Sequence, residues 1–374
     1  MEQWLAVLCL LLTAVVLAFV LIFPGNNWDA IGYVAVVKSI DIKDKQALHT
    51  AVFDELRRSV SADVYRSLTT NGFQETVSSD PESLRQVLPF YRVKPGYIAS
   101  IYLLSKIGMN PFFAAHLVST AAVAGGLWLF FLAVRRRVDP VLLIMLPIFA
   151  LALGALQVAR IITPDGLAFL AVALVFYLLL QESRLVLLVL PLLLLIRYDL
   201  IIFVLLIILY IFVTHGRWRL WSVGSAFLAL LLFTAVNQFS GSYGYATLLW
   251  VSFVESVSYP AHVQAQLSWS LYAPILLRGL SDLIHFYSSF LGYTALVVLS
   301  FLLFLRIRER DRAEARAQQN LLALSFLVFL SVVIHFLVFP AMWPRFFAGQ
   351  YFLGAMIFLI VLSAALDFRS RALT

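Results

Sequence analysis

Long apolar runs recur along this chain at a spacing that suits a bilayer and no aqueous fold. The first, Leu5 to Phe23, is already long enough to cross a hydrocarbon core, which takes about 20 apolar residues in a helix. Comparable runs follow near 112–134, 141–159, 163–181, 222–238, 287–305, 320–339 and 346–366. A soluble domain of 374 residues needs more polar surface than 62% apolar residues, 13% charged residues and a mean hydropathy of +0.94 can supply. The expected fold class is all-α, a polytopic helical membrane protein.

Charge placement then sets the expected topology. The net charge of +7, from 27 Lys and Arg against 20 Asp and Glu, lies in clusters beside apolar runs, which suits a bilayer and argues against nucleic acid as partner. Short basic loops stay cytoplasmic. The clusters Arg135-Arg136-Arg137, His215 to Arg219, Arg306 to Arg316, and Arg369 with Arg371 therefore belong on one side. Keeping them there demands an even number of crossings between Arg184 and His215, a stretch of about 31 residues, too long for one ordinary span and short for two. Its middle holds Arg197-Tyr198-Asp199. Two short helices meeting at that triplet satisfy the charge rule and bring the count to about ten transmembrane helices. Broken backbone at membrane depth requires protein burial or a wet cavity, so a cavity lined by the triplet and open to the outer face is expected.

The ends and loops complete this reading. Met1 to Trp4 lacks the positive charge of a secretory signal, and Pro24-Gly25-Asn26-Asn27 is a turn with no small-residue cleavage site. The first run is then an uncleaved anchor, both termini are cytoplasmic, and the chain belongs to the inner (plasma) membrane. Cys9 is the only cysteine, so no internal disulfide forms. Residues 1–374 read as one membrane-embedded module. Within it, 24–110 is an outer loop built as a helical subdomain, with amphipathic spacing over Asp41 to Arg66 and an interfacial helix over Pro95 to Met109. Residues 238–286 form a second outer loop, whose Tyr and Trp residues suit stacking on sugars.

Three polar motifs meet the outer face in this threading: Asn26-Asn27-Trp28-Asp29, Thr163-Pro164-Asp165 and Trp343-Pro344-Arg345-Phe346. A carboxylate beside cations at the membrane surface suits chemistry on a charged lipid headgroup, with a base to take a proton and Arg to neutralise phosphate. In order along the chain, Asp29 follows the first span, and Tyr91-Arg92-Val93-Lys94-Pro95-Gly96-Tyr97 opens a later helix. Arg135 to Arg137 form an inner turn, Asp165 opens the fourth span, Arg197-Tyr198 splits a helix, and Arg345-Phe346 precedes the last span.

This order resembles the C-superfamily (GT-C fold) of membrane glycosyltransferases, which includes the protein mannosyltransferase and aminoarabinose transferase families. The resemblance implies sugar transfer, usually with inversion, from a polyprenyl-phosphate carrier to a hydroxyl of a glycan, lipid or protein acceptor. Asp29 would be the general base, and Arg345, Arg197 and Lys94 would hold the donor phosphate. Asp165, Asp41, Tyr97, Tyr198 and Asp199 would support the site or supply a second acid. Two departures stand out. Asp29 has no adjacent carboxylate, so a second acid falls to Asp41, Asp54, Glu55 or Asp165, and no large soluble domain follows the last span, so acceptor binding falls to the loops. The resemblance fixes no cofactor and leaves metal dependence open, since a divalent cation, Mg or Mn, is bound by carboxylates and phosphate with little motif trace.

Simpler roles exist for the same residues. Asp29 suits an N-cap for a helix from Ala30, and Asp165 suits a helix start. Arg197 and Asp199 suit an internal ion pair, and Arg345 suits an interfacial anchor beside Trp343. The six histidines are scattered without metal-ligand spacing, and no glycine-rich phosphate loop occurs, which argues against a nucleotide-sugar donor or an ATP-driven pump. The alternative class is a secondary transporter, or an export or assembly partner, since transporters also place charge at broken helices. An enzyme should bring Asp29 to Arg345 beneath the loop helices, whereas a transporter should show a path between the two faces.

Overall fold

The computed structural model describes residues 2–286, 288–310 and 312–371, and every regular element among them is helical. The order is α1 (Glu2–Ile22), α2 (Asp29–Ser39), α3 (Lys45–Ser59), α4 (Ala62–Thr69), α5 (Phe73–Ser79), α6 (Pro81–Val87), α7 (Pro89–Arg92), α8 (Pro95–Lys106), α9 (Pro111–Val134) and α10 (Met145–Ala152). Then come α11 (Ala155–Arg160), α12 (Asp165–Leu180), α13 (Val186–Ile196), α14 (Ile201–Thr214), α15 (Arg219–Phe239), α16 (Tyr245–Phe253), α17 (Trp269–Phe286), α18 (Ser288–Arg310), α19 (Arg312–Val338) and α20 (Pro344–Arg371). Arg369, Arg371 and most of the basic stretch 306–316 have side chains outside the description.

Among the described residues five helices are long and apolar enough to cross a membrane: Pro111–Val134, Gly216–Phe239, Ser288–Arg308, Gln318–Val338 and Pro344–Leu366. Shorter apolar helices run over Leu11–Ile22, Pro140–Ala152, Asp165–Leu180, Val186–Ile196 and Tyr198–Thr214, alongside the expected spans. One of those expectations needs correction. The run 141–159 is no continuous span: a 3-10 turn at Pro140–Ile144 leads into α10, and Gly154 at φ 87° separates α10 from α11. A left-handed backbone of that kind ends a helix and favours glycine.

The bundle is organised around α20. Its apolar window is 83% buried, against 17% to 50% for the other four long helices, so α20 is the central post. Phe130 of α9, Phe169 of α12 and Phe352 of α20 pack ring on ring, with centroids 4.9–5.5 Å apart. Without water to drive association, close backbone approach and interhelical hydrogen bonds do that work in a membrane. Ser119 Oγ donates to Thr163 O (2.9 Å) and Thr120 Oγ1 to Ala159 O (2.9 Å). Gly166 lies so close that a Cβ there would sit 2.5 Å from Ser119 O.

The split helix forms as the charge rule demands. α13 ends at Ile196, Arg197 adopts extended backbone (φ −147°, ψ 104°), a 3-10 turn covers Tyr198–Leu200, and α14 restarts.

Residues 24–110 supply most of a second buried core, which Phe112, Ala114, Ala115 and Ile162 complete. In α2 the eight residues Ala30 to Val37 are all buried, so this helix is enclosed on every side. The amphipathic stretch 41–66 is two helices, not one. Ser61 caps the second by accepting from Val64 N (3.4 Å), as Asp44 caps the first at Ala47 N (2.8 Å). In α8, Tyr97, Ile98 and Ile101 are buried while Leu103 is exposed, consistent with one face packed on the protein.

The second loop is fastened onto this subdomain through α6. Tyr259 OH donates to Asp80 Oδ2 (2.7 Å), Ser83 Oγ to Ser258 O (2.6 Å) and Tyr243 OH to Gln86 O (2.9 Å). The Tyr259 hydroxyl holds the Asp80 carboxyl below its ordinary range. A carboxyl depressed on folding contributes above its unfolded pKa, and that contribution is lost as pH falls through the folded value. The protection of residues 255–263 against hydrogen exchange, taken relative to the intrinsic rate at each pH, should therefore fall on acidification through the carboxylate range, and Tyr259→Phe should show the lower protection already at neutral pH.

Candidate functional site

A short stitch sets two helix starts side by side. After α1, Gly25 N donates to Arg160 O (2.8 Å), Ile162 N donates to Asn27 Oδ1 (3.2 Å), and Arg160 Nε donates to Phe23 O (3.1 Å). α2 begins just beyond one strand of this stitch and α12 just beyond the other. Each opens on an aspartate, Asp29 and Asp165. Neither acts as a cap: the N-cap positions are Trp28 and Pro164, and neither has a side-chain capping bond. Both carboxylates are left for other partners, at helix ends where the backbone dipole favours negative charge.

Those partners form a continuous chain of charge. Arg345, at the start of α20, donates through Nη1 to Asp29 Oδ2 (2.8 Å), and its Nε lies 3.9 Å from Asp165 Oδ2. Arg197, at the helix break, donates through Nη1 to Asp165 Oδ1 (2.6 Å) and to Phe346 O (3.2 Å). Its Nε donates to Asp199 Oδ1 (3.2 Å), and its Nη2 also donates to Asp199. His335 Nε2 stands 3.9 Å from Asp199 Oδ2. The Phe346 ring lies between the two guanidinium groups, 4.5 Å from Arg197 Cζ and 5.3 Å from Arg345 Cζ.

Exposure divides this chain into a sealed middle and open ends. Asp165 and Arg197 side chains are 3% and 4% exposed, whereas Asp29, Arg345 and Asp199 are 29%, 21% and 26% exposed. The middle pair serves as a strut, and the ends face whatever reaches the site.

The subdomain supplies a third cation and two tyrosines. Lys94 Nζ donates to Phe90 O (3.0 Å) and lies over the rings of Tyr33 (5.5 Å) and Tyr91 (5.8 Å). Burial pushes its ammonium pKa down, and the carboxylates of Asp29 and Asp199 oppose that shift. Tyr91 OH donates to Asp29 Oδ1 (3.4 Å), so Asp29 is held from two sides. The Tyr91 ring lies against Gly32, where a Cβ would sit 2.3 Å from it.

Other expected participants lie elsewhere. Asp41 bonds to Tyr102 OH (3.1 Å) and Lys106 Nζ (3.0 Å), away from the charge chain. Asp54 is exposed, and Glu55 is tied to Lys38, Arg58 and Asn110, so of these four carboxylates only Asp165 joins the charge chain. Tyr97 is fully buried and bonds to Ala115 O (3.2 Å) and Ser119 Oγ (3.1 Å), which makes it a packing residue between α8 and α9. Tyr198 stacks loosely on Phe233, with centroids 6.0 Å apart. Arg197 turns inward to Asp165 while Asp199 stays partly exposed, and the 620 Å³ groove nearby is lined by Leu195 and by none of the triplet.

No group of three His, Cys, Asp or Glu side chains suited to a metal occurs among the described residues. Asp29, Asp165 and Asp199 each already accept from an arginine, so they do not fit an Mg or Mn cradle. His335 and Tyr91 were not singled out from sequence. The position of Tyr91 three residues before Lys94 was a usable signal, whereas His335 sits inside an apolar helix with no local mark.

Breaking a buried ion pair from one side typically costs about 3–5 kcal/mol, because the remaining charges stay buried. Arg197→Leu should therefore lower thermal stability in detergent by that order, while Arg345→Gln, at the open end, should lower it distinctly less. Equal losses would remove the distinction between strut and open end.

The chain matches no protein-family model, no curated protein and no solved structure in comparison, and its functional reading rests on these residues.

Proposed function

We propose that the protein transfers a sugar from a polyprenyl-phosphate carrier to an acceptor hydroxyl at the outer face of the plasma membrane. The observation that carries this reading is the Asp29–Arg345 pair, 2.8 Å apart and partly exposed at the end of a buried charge relay, beneath the helices of the 24–110 subdomain. A base and a phosphate-binding cation are the two groups such a transfer needs, and here they meet across 316 residues of sequence.

Arg345 is committed to Asp29. An arriving lipid phosphate competes for that guanidinium, whose planar fork suits phosphate oxygens better than an ammonium does. Once Arg345 turns to the phosphate, Asp29 is freed of its counter-ion and keeps only the weak hydroxyl contact from Tyr91. The acceptor oxygen then bonds to the anomeric carbon from the opposite side as the bond from that carbon to the phosphate oxygen breaks. The acceptor proton passes to Asp29, and the bonding pair leaves on the polyprenyl phosphate, whose charge Arg345 and Lys94 balance. Arg197 has four N–H donations committed to protein oxygens and works by positioning Asp165 and the start of α20.

General-base help of this kind is worth about 10²–10⁴ in rate. Purified protein in liposomes, given radiolabelled polyprenyl-phosphate sugars and membrane acceptors, should transfer label. Asp29→Asn should lose turnover by that factor with donor binding retained, and Arg345→Gln should weaken donor binding. Undiminished transfer by Asp29→Asn would remove the assigned base. Substrate movement across sealed vesicles without transfer would instead favour the transporter class.

A further inference from the structure

A groove of about 620 Å³ runs where the 24–110 subdomain meets the bundle. One wall is apolar and comes from the last turns of α15, with Leu232, Ala235, Val236 and Phe239, joined by Leu195 of α13. The opposite rim belongs to the subdomain and carries Lys43 and Arg92. The wall belongs to a helix apolar enough to span a membrane, and it stops where that span stops, at Phe239, which is 86% exposed. The groove therefore crosses from chain depth to headgroup depth.

Any lipid could cover the apolar wall, but the rim selects among headgroups. No carboxylate lines the groove. Arg92 is exposed and has no hydrogen-bond or ion-pair partner among the described residues. Lys43 Nζ donates to Ser39 O (2.9 Å) and Ile40 O (2.8 Å), which fixes it at the end of α2 with one N–H still free. The carboxylate that acts on Lys43, Asp41, is itself held by Lys106 and Tyr102. Lys43 is thus held, and Arg92 left unpaired, above an apolar trough whose lining contains no acid.

We propose that this groove is a binding site for an anionic phospholipid of the surrounding leaflet, its chain along α15 and its phosphate between Lys43 and Arg92. The site is separate from the Asp29–Arg345 pair and does not depend on the sugar-transfer reading. Fixed cations near a membrane surface attract anionic headgroups at a strength equivalent to about fivefold per residue.

The test uses the full-length protein in phosphatidylcholine nanodiscs carrying a small fraction of a photoactivatable lipid, either phosphatidylglycerol or phosphatidylcholine, with labelled peptides mapped by mass spectrometry. Phosphatidylglycerol should label peptides containing 92–95 and 232–240 several-fold more than phosphatidylcholine. Arg92→Gln should reduce that preference about fivefold, and Leu232→Trp, which fills the trough and leaves the rim intact, should abolish labelling there by either lipid. Asp29→Asn should leave the labelling unchanged, so that failure of the transfer chemistry and failure of the groove are read separately. Equal labelling by the two lipids, or a preference that survives Arg92→Gln, would overturn the proposal.

Discussion

The guanidinium of Arg197 is a charge nearly sealed from solvent, and the surrounding architecture answers to it. A buried cation without partners is too costly to keep, so carboxylates must come to it. Asp165 arrives from the start of α12 and Asp199 from two residues along the same break, while Phe346 supplies a carbonyl from the first turn of α20. Three helical segments are thereby fixed to one planar group. The interruption between α13 and α14 sets Arg197 in extended backbone, and from there its guanidinium reaches them.

From that fixed point the charge chain runs outward. Asp165 also stands near Arg345, and Arg345 holds Asp29. The alternation of acid and base keeps each desolvated charge beside an opposite one, which is the condition for tolerating several of them in so small a volume. Three carboxylates, Asp29, Asp165 and Asp199, face three cations, Arg345, Arg197 and Lys94. On the proposed reading, a phosphate entering this balanced set displaces a carboxylate at the partly exposed Asp29–Arg345 bond. The buried strut and the exchangeable end are thus parts of a single electrostatic arrangement.

The subdomain matters to the site because it is not a free appendage. The stitch between 23–27 and 160–162 fixes where α2 begins, Tyr91 packs on Gly32 and reaches Asp29, and the second loop is fastened to α6. These contacts are mostly hydrogen bonds to backbone, which position segments accurately while leaving few apolar signatures in the sequence. Where the subdomain rests on the bundle, an apolar wall and a basic rim meet, so the same junction creates both the roof of the charge cluster and the groove beside it.

How much of this was legible follows from which physics is local. Hydrocarbon length requirements and the aversion of cationic loops to translocation act on contiguous residues, so the helical class, the positions of the apolar segments and the split at Arg197-Tyr198-Asp199 could be read from order alone. The break at Gly154 was less visible, because a single glycine in an apolar run leaves hydropathy unchanged while its backbone turns left-handed. Asp29, Arg345 and Asp165 stood out as polar residues beside apolar runs, and Lys94 only through the motif 91–97. Which of them touch could not be read that way, since Asp29 and Arg345 are 316 residues apart, and Asp41, another carboxylate of the same loop, is claimed by Lys106 instead. His335 carried no local mark at all. The sequence by itself determined a bundle of apolar helices with charge at its loop ends, because those properties reside in contiguous composition. Only the tertiary structure decided that Arg197 is a strut and Arg345 the reachable cation, because pairing between distant charges depends on which groups the packed helices leave exposed.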